Sequence, residues 1–95
     1  MLFCIFGIDK PNMGDIRAKV MPAHVEYLDK APIKLVMSGP LTSDDGDAIV
    51  GSLYVVEAEG RAAIDEFCKN DPLIQADVWE YSQIRAFNKR VDNRD

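Results

Sequence analysis

The hydrophobic positions of the chain fall into short apolar runs and helical stripes. Residues 2–8 (LFCIFGI) are apolar at both parities, which is typical of a central β-strand. Residues 15–30 carry apolar side chains at spacings of four, three and four, which predicts a helix that buries this stripe. The stripe consists of Ile16, Val20, Ala23 and Tyr27. Pro22 lies inside the segment, so it either kinks the helix or begins a second helical segment.

The rest of the chain continues the alternation of strands and helices. The pattern predicts a strand from about Ile33 that ends at Gly39–Pro40, a solvated hairpin loop at 42–47, a strand at 48–58, a helix at 60–70, a turn or short helix at 71–77 and a strand at 78–87. The helix should bury Ala63, Ile64, Phe67 and Cys68. Gly51, inside the third strand, indicates a bulge or a close backbone approach.

The order β-α-β-β-α-β predicts a ferredoxin-like α+β fold, in which two helices cover one face of a four-stranded antiparallel sheet. A chain of 95 residues is the size of one domain, which we expect over residues 1–90. Residues 91–95 are polar and are expected to form a C-terminal tail.

The second face of the predicted sheet is too apolar for contact with water. A sheet that is wetted on one side alternates apolar and polar residues, but Leu53 and Val55 point one way while Tyr54 and Val56 point the other. Since the chain has no third layer, we expect a second copy to cover this face, sheet against sheet, in a homodimer. The alternative is that these residues are simply exposed, as many apolar side chains are.

Composition and charge exclude several classes of function. The net charge is −5, with 11 basic and 16 acidic residues, which argues against binding to nucleic acid or to an anionic membrane. Cys4 and Cys68 lie in apolar segments, and the N-terminus has no basic leader, so reduced thiols in the cytoplasm are expected. One histidine and two distant cysteines make no zinc site, residues 42–47 lack the spacing of a calcium loop, and no phosphate-binding loop is present. We therefore expect chemistry without a metal or a cofactor.

Two polar pairs are candidates for such chemistry. Arg17 and His24 are seven residues apart, so a continuous helix presents both from one face, either as a pocket lining or as an ordinary helix surface. Asp71 precedes Pro72, the arrangement of an N-cap and first residue of a short helix. One oxygen of Asp71 could cap that helix while the other faces His24. A carboxylate on Nδ1 of His24 would leave Nε2 free as a base.

Three further residues could complete this site. Arg17 could stabilise an oxyanion together with Ser52, which stands in an otherwise apolar strand. Asp9, at the end of the first strand, could hold the guanidinium in place or could be a turn residue. Ser38 is as ambiguous as Ser52, because each hydroxyl could simply bond a backbone carbonyl.

Four stretches resemble one known family: the first strand ending in DK, RAKVMPAHVEYL, GPL and DPLIQADVWEY. They are similar to the YciI-like, or YCII-related, family of small ferredoxin-like proteins that form dimeric α/β barrels. The resemblance covers nearly the whole chain and implies a His-Asp dyad at His24 and Asp71. Met21 departs from the family, in which arginine is frequent at this position, and so removes one positive charge near the site.

One branch of the family eliminates HCl from a chlorinated hydroxyhydroquinone without a cofactor. The resemblance to this branch implies an oxyanion hole of Arg17 and Ser52, with Ser38 as the alternative serine. It also implies that Asp9 supports the oxyanion hole and that Pro72 orients the dyad.

The function expected from the sequence is that of a cofactor-free lyase, such as a dehydrochlorinase, or an isomerase acting on a small cyclic hydroxylated or quinoid compound. His24 would remove the proton. Two alternatives remain open: a non-catalytic dimer that binds a small metabolite, and a cofactor-free quinol monooxygenase.

Overall fold

The computed structural model describes residues 1–94 and contains a four-stranded antiparallel sheet with helices on one face. The elements are β1 (Leu2–Asp9), α1 (Gly14–Asp29), β2 (Lys34–Thr42), β3 (Ile49–Glu57), α2 (Arg61–Asn70), α3 (Pro72–Gln75) and β4 (Trp79–Phe87). The strand order is β2-β3-β1-β4, with every neighbouring pair antiparallel. The predicted ferredoxin-like fold is confirmed, and the segment after α2 forms a short third helix.

The core lies between the sheet and the helices. Along β1, every second residue from Phe3 is buried, and antiparallel pairing places these residues opposite the inward residues of β3. The core cluster consists of Phe3, Ile5, Tyr54, Val56, Ile64 and Phe67. The last two belong to α2, whose predicted buried face is confirmed. Burying an aliphatic or aromatic side chain contributes roughly 1.5–3 kcal/mol, so this cluster anchors α2 on the sheet.

The buried face of α1 differs from the predicted apolar stripe. Ile16 is 40 % exposed and Ala23 is also exposed, whereas Arg17 and His24 are buried at 4 % and 8 %. The helix buries these polar residues because each has a hydrogen-bonding partner beneath it, which offsets the cost of desolvation. The helix is also continuous through Pro22, so no second helical segment begins there.

Two features of the sheet involve proline and glycine: the end of β2, which differs from the prediction, and a close approach of two backbones. β2 continues past Gly39–Pro40 to Thr42, because an edge strand has one side without a strand neighbour and therefore tolerates a residue without an N–H group. A Cβ atom on Gly51 would overlap the carbonyl oxygen of Gly7. The predicted close approach of backbones at Gly51 is thus confirmed.

The face of the sheet opposite the helices, here called the open face, is largely apolar on β1 and β3, while β4 contributes Gln83 and Arg85 to it. Pairing places Cys4 opposite Val55 and Phe6 opposite Leu53 on this face. Residues 88–94 contain no helix or strand, and part of this segment borders the open face. Asp95, the last residue of the predicted tail, lies outside the described residues. None of the helices in residues 1–94 has the length and hydropathy needed to span a membrane.

Candidate functional site

The first buried polar cluster joins Asp9, Arg17 and Ser52 beneath α1. Asp9 ends β1, Arg17 lies in the first turns of α1, and Ser52 faces the helices from β3. The Nε and Nη2 atoms of Arg17 donate to the two carboxylate oxygens of Asp9 at 2.5 and 3.0 Å, and Nη2 also donates to Ser52 Oγ at 2.7 Å. This bidentate ion pair fixes the guanidinium plane, and burial strengthens its charge-assisted hydrogen bonds.

The second cluster joins His24 to Asp71, which lies in the turn between α2 and α3. The Nδ1 atom of His24 is 2.8 Å from Oδ1 of Asp71, whose side chain is fully buried. The same carboxylate accepts a hydrogen bond from the hydroxyl of Tyr54 on β3, at 2.8 Å to Oδ2. A carboxylate next to Nδ1 favours the tautomer that carries its proton there, with Nε2 free to act as a base.

Asp71 is also the N-cap of α3, as the Asp-Pro pair predicted. Its Oδ1 atom accepts the backbone N–H of Leu73 at 2.9 Å, and Pro72 occupies the first helical position. Capping and the contact with His24 coexist, but not by the expected division of one oxygen each. Oδ1 faces both Nδ1 of His24 and the backbone N–H of Leu73, while Oδ2 accepts from Tyr54. Pro72 starts the helix that Asp71 caps.

Tyr54 is the residue of this site that the sequence interpretation missed. The sequence pattern indicates an apolar residue of β3 at this position, yet Tyr54 is two residues from Ser52 and therefore shares its face. That parity was the available signal. Burial, followed by the charge of Asp71, raises the pKa of Tyr54 far above its usual value, so its hydroxyl stays protonated and donates.

The two clusters lie side by side. Arg17 and His24 leave the same face of α1 with an axial separation of about 10 Å, and Ser52 and Tyr54 lie two residues apart on β3, roughly 7 Å. Within residues 1–94, Nη1 of Arg17 and Nε2 of His24 make no hydrogen bond. Neither atom is fully buried, because the one fully buried side-chain nitrogen or oxygen without a partner in these residues is Nε1 of Trp79. Both free nitrogens therefore keep contact with solvent and can meet a ligand.

Ser38 lies apart from these clusters. It is exposed on the edge strand β2, opposite Tyr54 in the register, and it lines a cleft between α1 and β2 together with Val25 and Leu28. Its hydroxyl has no hydrogen-bonding partner within residues 1–94. Of the two candidate serines, only Ser52 contacts Arg17.

Residues 1–94 contain no group of three or more side chains that could hold a metal ion. The acidic hairpin loop is an internally bonded turn, in which Ser43 Oγ donates to Asp45 at 2.6 Å and Gly46 adopts a positive φ of 81°. Cys4 and Cys68 are free thiols, and burial raises the pKa of both.

The fold and the site together define a class: a small ferredoxin-like α+β protein with a buried His-Asp pair beside a buried Arg-Asp-Ser cluster. The chain belongs to the YCII-related domain family, whose model matches residues 1–88. It is 31 % identical over 98 residues to the protein YciI of Escherichia coli and to that of Shigella flexneri, covering 94 % of this chain and 98 % of each relative.

Solved structures share the fold of this chain. The chain is similar, with a TM-score of 0.82 and 28 % identity, to 5-chloro-2-hydroxyhydroquinone dehydrochlorinase from Burkholderia phenoliruptrix in complex with 2,5-dihydroxybenzoquinone. The match covers 93 % of this chain and 94 % of that one. An antibiotic biosynthesis monooxygenase shares the fold, with a TM-score of 0.60 and 16 % identity over 96 % of this chain and the whole of the other.

Proposed function

We propose that the protein is a cofactor-free lyase that acts on a small hydroxylated or quinoid ring, with dehydrochlorination as its reaction. The observation that carries the proposal is the pairing of His24 Nδ1 with a fully buried carboxylate while Nε2 remains free. The similarity to a dehydrochlorinase solved with a dihydroxybenzoquinone supports both the reaction and the kind of ring.

The proposed chemistry begins with His24 as general base. Its Nε2 atom takes a hydroxyl proton from the ring, and Asp71 stabilises the resulting imidazolium. The free Nη1 of Arg17 and the hydroxyl of Ser52 stabilise the oxyanion, while Asp9 holds the guanidinium plane. Positioned donors act strongly here because their dipoles are already oriented before charge develops.

The elimination balances without an oxidant or a reductant. After the first deprotonation, tautomerisation places a proton on the ring carbon that bears chlorine. A second hydroxyl then loses its proton, and chloride leaves with the electron pair of the carbon–chlorine bond. The net products are HCl and a hydroxyquinone, so the two groups needed are a recyclable base and an oxyanion stabiliser.

The test is chloride release from 5-chloro-2-hydroxyhydroquinone under anaerobic conditions, followed by ion chromatography and by quinone absorbance. We expect His24→Ala to lower kcat by at least about 100-fold, the range of general base catalysis. Lys19→Ala is the matched control, because Lys19 is an exposed residue of the same helix outside both clusters. It should keep wild-type turnover.

Three results would overturn the proposal. Full turnover by the His24→Ala variant would remove the base. Turnover by the wild type that requires and consumes oxygen would indicate a quinol monooxygenase. Saturable binding of the ring without any turnover would indicate a metabolite-binding protein.

A further inference from the structure

Tyr54 has a contact that the proposed chemistry does not use directly. Its hydroxyl donates to Oδ2 of Asp71 at 2.8 Å, and the residue is 1 % exposed. The other carboxylate oxygen receives Nδ1 of His24 and the backbone N–H of Leu73. Asp71 thus has three partners from three different elements, and Tyr54 is the one whose bond can be removed by deleting a single oxygen.

We propose that Tyr54 is a positioning residue that sets the proton affinity of His24 through Asp71. The effect of Tyr54 on the titration of His24 follows from hydrogen bonding to Asp71. Its effect on turnover rests on the proposed function.

The physical reason is competition for one carboxylate. A donor on Oδ2 withdraws negative charge from the group, so the carboxylate attracts the imidazolium of His24 less strongly. The same bond fixes the carboxylate plane, because Oδ2 is held by β3 while Oδ1 faces α1. Without the hydroxyl, His24 becomes the main charge partner of Asp71 and its protonated form is favoured.

The neighbouring titratable groups keep a constant charge while His24 titrates. Burial raises the pKa of Cys68 on α2 to about 11, and burial also raises the pKa of Tyr27 on α1. Both groups stay neutral through the range of roughly pH 5–8 in which an imidazole titrates. Arg17, whose charge acts on Tyr54, is paired with Asp9. A change in His24 titration on altering Tyr54 is therefore attributable to Asp71.

The experiment is an NMR titration of the histidine ring, which is unambiguous because the chain contains one histidine. We expect Tyr54→Phe to raise the pKa of His24 by roughly 0.5–1 unit, the effect of losing one hydrogen bond to its partner. Asp71→Asn should lower that pKa, since the negative partner is gone. In a kinetic profile with a confirmed substrate, Tyr54→Phe should move the acidic limb of kcat upward by the same amount, with KM changed less than about twofold.

Tyr27→Phe is the matched control. The Tyr27 hydroxyl donates to the backbone oxygen of Phe67 at 2.7 Å, and its ring stacks on Phe67, so this variant also loses one hydroxyl bond from an aromatic side chain of the core. This variant leaves the bonds of Asp71 in place and should leave the titration of His24 unaltered.

Fluorinated tyrosine introduced at position 54 is the second probe. A more acidic phenol is a stronger donor and should lower the pKa of His24.

The outcomes separate this proposal from the proposed function. If Tyr54→Phe and the fluorinated variant leave the His24 pKa unchanged while Asp71→Asn lowers it, Tyr54 is only structural and the inference is wrong. If Asp71→Asn also has no effect, the pair itself is wrong and the proposed function falls with it. If the titration shifts as expected but no quinol is turned over, the role of Tyr54 stands and the lyase does not.

Discussion

At the scale of single residues, Gly7 makes room for the aromatic side chain of Trp79. It lies on the helix side of β1, opposite Ser52 on β3 and Ser82 on β4. The indole of Trp79 covers it so closely that a Cβ atom would overlap the ring. Trp79 in turn meets Tyr54 edge to face, with ring centroids 6.2 Å apart. The absent side chain at Gly7 therefore lets β4 pack against the residue that bonds Asp71.

Gly7→Ala should therefore destabilise the protein. The indole of Trp79 must shift to admit the methyl group, and overpacking of this kind costs about 1–3 kcal/mol. We expect a corresponding fall in the free energy of unfolding in urea. Gly39→Ala is the control, because it lies in β2 with no heavy atom within 4 Å of its added Cβ. The control should change stability by less than about 0.5 kcal/mol. Equal stability of the two variants would contradict this account of Trp79.

At the scale of elements, local patterns predicted the helices and strands better than they predicted which helix face is buried. α2 was predicted correctly because its inward residues are apolar and lie on one stripe. α1 was not, because its inward residues are Arg17 and His24. Their partners, Asp9 and Asp71, lie 8 and 47 residues away in the chain. The seven-residue spacing places Arg17 and His24 on one face, but no periodicity within the helix shows that distant partners bury that face.

The site residues show the same limit. Polar residues at unusual places, such as Asp71 before Pro72 and Ser52 in an apolar strand, could be selected from the sequence. Which serine contacts Arg17 depends on the register between strands and on the position of α1, so Ser38 remained an alternative until the fold was known. Tyr54 was hidden because a tyrosine in an apolar strand is indistinguishable from a core residue by pattern alone.

The turn between α2 and α3 carries a prediction on stability, because Asp71 is both N-cap and partner of His24. Asp71→Ala removes the cap and leaves the hydroxyl of Tyr54 without its acceptor, so we expect a loss of about 2–4 kcal/mol in the free energy of unfolding. Asp71→Asn keeps a capping oxygen and should cost clearly less. Urea denaturation of the two variants measures the difference. The capping role would be refuted if the alanine and asparagine variants were equally stable.

At the scale of the whole molecule, the sheet separates two surfaces with different properties. Asp9, Arg17, His24, Ser52 and Asp71 are bonded to one another in two clusters on the helix side. The open face carries, besides Gln83 and Arg85 of β4, mainly apolar side chains. Three of them are more than 40 % exposed in the single chain: Met37, Tyr81 and Phe87. The sequence predicts that both faces of the sheet are apolar, without choosing which parity of β3 faces the helices. The register places Leu53 and Val55 opposite Phe6 and Cys4 on the open face.

We predict that the open face is covered by a second copy of the chain, because an apolar face that extends along several strands is rarely left in water. Sedimentation at micromolar concentration should give about twice the 10.6 kDa of one chain. Leu53→Glu places a charge among the apolar residues of this face and should shift the protein to monomer. Ile16→Glu introduces the same charge at an exposed position of α1 and should leave the dimer intact.

Because the bonds of His24 and Asp71 come from one chain, the monomeric variant should keep the His24 titration of the wild type. A wild-type mass of one chain would contradict the dimer, whereas a changed titration in the Leu53→Glu monomer would mean that the second copy supports the site through the sheet.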